Sequence, residues 1–142
     1  MFDAQQAIID RIRYKVGDNT GGFKTIDTPR VFLGLQHIGQ LLPAAIVFPG
    51  MGKYEKSWRS ETQSWMVSII ISHIEEQEKE CETERIAGDL IRSVITALHD
   101  WIPGTDYNQP LEYRGRPEPI YSIGYAEFPV RFETSLDLHF SE

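Results

Sequence analysis

A two-residue alternation of side chains between two faces is clearest over residues 63–73. Trp65, Val67, Ile69 and Ile71 fall on one face, with Met66, Ser68, Ile70 and Ser72 on the other. A period of two marks a β-strand, and apolar residues on both faces predict a central strand. From residue 86 the period becomes helical. Ile86, Ala87, Leu90, Ile91, Val94, Ile95 and Leu98 trace a wide apolar stripe, while Asp89, Arg92, Ser93 and Thr96 take the other faces. Pro103-Gly104, just after Trp101, predicts the end of this helix. Gly88 inside it costs about 1 kcal/mol relative to Ala, which predicts the close approach of another backbone. Trp101 reads as a core anchor rather than a ligand-binding residue.

Weaker patterns flank these two elements. Ile8, Ile12 and Val16, with Ala4 and Ile9 beside them, predict a helix over 4–16 with one buried face. Asp3 is a suitable N-cap, and Gln6 stands at the spacing of a capping box. Gly17 suits a C-cap, and residues 18–22 are turn chemistry throughout, expected to be mobile. Pro29 can open a short helical turn, while Gly34 and Gly39 argue against a long helix there. Residues 43–48 are strand-like and stop at Pro49-Gly50. Beyond Pro110 the reading is β: short strands at 111–114 and 120–123, a turn at 115–119, and a long alternating strand over 127–140. Pro129 cannot donate to a ladder, so this last strand is expected to begin at an edge or bulge, open to pairing with another chain. The fold class is therefore α+β, a mostly antiparallel sheet of four to five strands packed by an N-terminal helix and one long central helix.

Length adds one constraint. A chain of 142 residues fits a single domain, here residues 1–142, large enough to bury a substantial core. The formal charge of −7 argues against gripping nucleic acid through the net field. Cys81 is the only cysteine, which excludes an intrachain disulfide and makes a reducing compartment the default. The start Met-Phe-Asp-Ala-Gln-Gln lacks a signal-peptide pattern, so the chain is expected to stay in the cytoplasm until it joins something larger. Its longest apolar runs, 41–48 and 66–71, are too short to span a bilayer, and no membrane partner is expected.

Candidate chemistry is sparse. Six glutamates at 75, 76, 78, 80, 82 and 84 crowd carboxylates, but the Asp/Asn alternation and glycine of a calcium loop are missing. Their reading is a solvated helix start, where negative charge suits the helix dipole. The same glutamates would raise the Cys81 thiol pKa, the reverse of activation. His37, His73, His99 and His139 lack the short spacing of a zinc motif. Neither G-x-G-x-x-G nor G-x-x-x-x-G-K-[ST] occurs, so phosphate cradles are unsupported. Catalytic residues, metal ligands and cofactors are each read as none. What remains is residues 50–62, whose Lys53, Tyr54, Lys56, Trp58 and Arg59 form the most basic and aromatic surface candidate. Between two strands such a segment can project as an interface; the alternative is that Trp58 folds back into the core.

Three stretches carry a family likeness: Pro43-Ala44-Ala45-Ile46-Val47-Phe48, the helix from Ile86 to Leu98, and Phe128-Pro129-Val130-Arg131-Phe132. With the order of elements around them, the chain resembles the tail terminator, or tail completion, proteins of long-tailed bacteriophages. The likeness implies a structural virion protein at the head-proximal end of the tail, assembled in the host cytoplasm, and not an enzyme. It implies a homo-oligomeric hexameric ring that caps the tail tube, stops polymerisation and joins the head. The partners implied are the tail tube protein and a neck or head-completion protein. DNA would pass through the lumen without specific binding, which an acidic chain suits. Two other classes compete with this reading: a protein-binding adaptor unrelated to phage, and a small enzyme using the acidic cluster or a histidine.

Overall fold

A computed structural model describes residues 3–16, 22–32, 41–50, 53–55, 60–72, 77–104, 107, 109–122 and 124–137. The helices are α1, Asp3–Lys15, and α2, Gln77–Leu98. The strands are β1 (Thr25–Asp27), β2 (Ala44–Pro49), β3 (Lys53–Glu55), β4 (Ser60–Ser72), β5 (Glu112–Tyr113), β6 (Ile120–Ser122) and β7 (Tyr125–Asp137). A single sheet runs β1-β2-β4-β7-β5, the five strands of its main path. Short β3 and β6 add to β4 and β7 respectively, bringing the sheet to seven. Among the described residues, β1 with β2 is the one parallel pair and the others are antiparallel. The expected α+β class stands, with the short strands β1 and β3 in addition.

The spine is the β4–β7 pair, thirteen residues against thirteen, from Ser60↔Asp137 to Ser72↔Tyr125. Alternation sends Trp65, Val67, Ile69 and Ile71 of β4, with Phe128, Val130 and Phe132 of β7, to the face that both helices cover. α1 contributes Ala4, Ile8, Ile9 and Ile12, and α2 contributes Leu90, Ile91, Val94 and Leu98. The opposite face carries a smaller cluster of Leu42, Ala44, Ile46 and Ile70, packed by Val31 of the 3-10 turn Pro29–Phe32. Both faces of β4 are therefore apolar where β2 flanks it, as the sequence predicted. Polar side chains of α1 also tie it to its neighbours' carbonyls. Gln5 donates to Val47 O (2.8 Å), Arg13 to Ile26 O (2.8 Å) and Arg11 Nε to Ala97 O (3.0 Å).

Several expectations need correction. α2 ends at Leu98, not at Pro103-Gly104, because Asp100 turns left-handed (φ 65°). The chain then runs beside the segment leading into β5, with Asp100 N–H donating to Leu111 O and Leu111 N–H to Trp101 O. Gln6 reaches forward to Asp10 Oδ1 (2.9 Å) rather than back to the helix start. Ile86 lies off the buried stripe, at 41% exposure. Among the described residues, nothing lies within 4 Å of a Cβ built on Gly88, so no backbone approaches it there. The last strand, finally, is interior. Among the described residues β7 pairs with β4 along its full length, and its outer side is left without a strand partner at residues 128–130.

Pro129 sits in that stretch. β6 pairs with Tyr125–Glu127, and β5 with Phe132 and Glu133. Arg131 extends the outer pairing, donating to Gly115 O (3.0 Å) and accepting from Arg114 N–H (2.8 Å). Residues alternate in the direction of their amides, so Pro129, two before Arg131, also faces outward. Its missing N–H thus costs the β4 ladder nothing. The proline belongs to a local edge inside an otherwise central strand.

Candidate interaction surfaces

The segment 50–62 is only partly a loop. Lys53–Glu55 forms β3 and pairs with Ser60–Thr62, in the register Lys53↔Thr62, Tyr54↔Glu61 and Glu55↔Ser60. β3 therefore continues the line of β2 along the same side of β4, which places Lys53 and Tyr54 on an edge strand. Gly50 connects the two, its N–H donating to Ser64 O at 2.7 Å; a Cβ there would meet Ser64 Cβ at 2.9 Å. Lys56, Trp58 and Arg59 lie outside the described residues.

A second surface was not anticipated from the sequence. Where β5 and β6 leave the outer side of β7 unpaired, a groove of about 410 Å³ opens between that edge and α2. Ala87, Gly88 and Ile91 of α2 form one side, and Phe128 and Pro129 of β7 the base. The far wall is the chain between β5 and β6, where Pro117 and Pro119 fix the backbone and Tyr121 packs edge-on against Phe128 (6.0 Å between ring centroids). Tyr121 is nonetheless 50% exposed. Glu84 and Glu118 stand on the rim with Arg116. The sequence signals for this groove are the odd glycine in α2 and the strand proline Pro129.

A third surface is a cleft between the helices, lined by Arg11, Lys15 and Arg92. Arg11 is committed within the fold, its guanidinium carbon 5.4 Å from the Trp101 ring centroid. Trp101 is half-buried against the core, in line with the anchor reading. On the helix-free face, Arg131 bridges Glu133 (2.8 Å) and Ser64 Oγ (3.2 Å), while Arg114 pairs with Glu133 (3.0 Å) and Glu112 (3.1 Å). These groups are mutually satisfied on an open surface.

None of the surfaces assembles chemistry. Among the described residues, no group of three or more His, Cys, Asp or Glu is placed to hold a metal ion. His99 accepts from Tyr113 N–H at Nδ1 (3.2 Å), and its Nε2 lies 3.6 Å from the carboxylate of the adjacent Asp100. Glu78, Glu80, Glu82 and Glu84 stand in the first turns of α2, with Glu82 and Glu84 exposed, while Glu75 and Glu76 lie outside the described residues. No helix among the described residues is long and apolar enough to cross a membrane.

A family model described as phage tail terminator protein matches residues 1–141. The chain belongs to the phage tail terminator family. No curated protein matches it. The terminator family is one of structural virion proteins rather than enzymes, so this chain is a bacteriophage tail component. The match bears out the resemblance drawn from the sequence, which runs over most of the chain from the first helix to the last strand.

Proposed function

We propose that the chain forms a six-membered ring on the head-proximal end of the tail tube, stops the tube from growing, and presents the surface to which the head or neck attaches. The observation carrying this reading is the family match over residues 1–141. Two further features support it. Of the candidate interface residues, Lys53 and Tyr54 stand in β3 at one end of the β4–β7 spine, and the groove beside Pro129 lies towards the other. Two unlike surfaces on one subunit are what a heterologous contact needs to close into a ring. The net charge of −7 suits a lumen through which DNA slides without being held. Its partners are further copies of itself, the tail tube protein and a neck or head-completion protein.

The test is electron microscopy of a lysate lacking the protein. Overlong tubes and unattached filled heads are expected. Tails of normal length joined to heads would reject a terminator, and a terminal layer of other than six copies would reject the ring.

A further inference from the structure

We propose that the groove between α2 and the outer edge of β7 receives Tyr14 of a neighbouring copy, with the basic cleft between that copy's helices set against the groove's acidic rim. This rests on the ring reading above and names its contact.

The groove is built as a socket. Gly88 weakens α2, yet a Cβ there would meet nothing within 4 Å among the described residues. A side chain at that position would narrow the groove it lines. Pro117 and Pro119 stiffen the far wall, so the space is held open before anything enters. Tyr121 stands half-exposed over Phe128, which gives the socket an aromatic lining. β5 and β6 stop on either side of Pro129, and a proline has no N–H to offer an added strand. The site therefore favours an inserted side chain over a paired strand.

Tyr14 is the matching plug. It is 80% exposed, more than any other large apolar side chain among the described residues. A tyrosine brings contact area at little conformational cost, having only two rotatable side-chain torsions. Lys15 holds its ammonium 5.5 Å from the Tyr14 ring centroid. Beside them Arg11, Lys15 and Arg92 line the cleft between the helices, with no carboxylate among the lining residues. The groove rim carries the opposite balance, Glu84 and Glu118 against Arg116. Plug and socket cannot meet in one chain. From Ala87 in the groove to Thr96 in the cleft the helix makes about two and a half turns, so the two lie on opposite flanks of α2. α1 packs on the cleft flank, where Arg11 Nε donates to Ala97 O, and α2 stands between Tyr14 and the groove. The two surfaces nevertheless share one level along the strands. Arg13 donates to Ile26 O, and Ile26, Ala45, Ile69 and Phe128 stand in line across β1, β2, β4 and β7. Copies placed side by side can therefore set the cleft of one against the groove of the next, a head-to-tail contact that closes into a ring by rotation.

The test uses tails assembled with the full-length protein carrying p-benzoylphenylalanine in place of Tyr14. Irradiation should join position 14 to residues 84–91 or 116–121 of another copy, read by mass spectrometry. Two charge reversals give an independent measure. Lys15→Glu with Arg92→Glu, and separately Glu84→Lys with Glu118→Lys, should each lower the yield of assembled tails about tenfold. Carrying both reversals in one chain should restore it to within about twofold, the signature of a direct pair. Tyr14→Ala and Gly88→Leu should each block assembly without lowering the thermal midpoint of the purified chain, which separates a lost plug or a filled groove from a misfolded subunit. Cross-links from position 14 that land elsewhere on another copy, or on the tube or neck protein, overturn the contact and leave the ring standing. So does failure of the combined reversal to recover. A terminal layer of other than six copies removes the ring itself, and is read separately by its symmetry in cryo-electron microscopy.

Discussion

Tyr107 donates its hydroxyl to Gln63 Oε1 at 3.1 Å, and the indole of Trp65 donates to the same oxygen at 3.2 Å. All three residues are buried. One amide oxygen thus ties the chain after α2, where Tyr107 bridges Leu136 of β7, to the central strand. A polar group in that position is tolerated because its partners are supplied; removing it takes an acceptor from both donors.

Gln63→Leu should therefore destabilise the protein by roughly 2–4 kcal/mol, by leaving two buried donors with a lost acceptor. Chemical denaturation of the purified chain measures this. Tyr107→Phe, which removes one of the donors, should cost only about 1 kcal/mol. Equal losses for the two variants would show that Gln63 is not the shared acceptor.

The same substitution should have opposite signs at two glycines. Gly50→Ala puts a Cβ 2.9 Å from Ser64 Cβ, between paired strands that cannot separate without losing the 2.7 Å hydrogen bond beside it. A loss of about 1–3 kcal/mol is expected from such overpacking. Gly88→Ala meets nothing and should raise stability by roughly 0.5–1 kcal/mol through helix propensity. Thermal unfolding of both variants checks the pair. Destabilisation by Gly88→Ala would mean that a neighbour does fill that space.

Arg11 holds α1 to the end of α2 by two means, its Nε donating to Ala97 O at 3.0 Å and its guanidinium lying over Trp101. Arg11→Met keeps most of the stem and removes both, for an expected loss of about 1–2 kcal/mol. Arg11→Lys restores a cation but not the planar donor, and should recover only part. Full recovery by lysine in urea titrations would reduce the contact to charge alone.

The basic segment separates surface from core by a different readout. Tyr54→Ala with Trp58→Ala should leave the melting temperature of the monomer unchanged while tail assembly is lost. A collapse in thermal stability, as large buried aromatics give when truncated, would make Trp58 a core residue and sink the interface.

Much of the scaffold is legible in the sequence. The alternation from Trp65 to Ser72 and the helical stripe from Ala87 to Leu98 are local consequences of burying one face or two, and both lie where their periods put them. The ends of elements were less legible. α2 stops where Asp100 adopts a left-handed turn, and that turn is held by Leu111, which pattern along the chain does not connect to it. The groove was invisible for the same reason. It exists because β5 and β6 pair with different parts of β7 and leave Pro129 uncovered between them, a matter of register. Pro129 and Gly88 each broke a local rule when met in sequence, one as a strand proline and the other as a helix glycine. Only tertiary structure decided that the two exceptions face the same open space, because periodicity encodes which side of an element is buried and not what lies across from it.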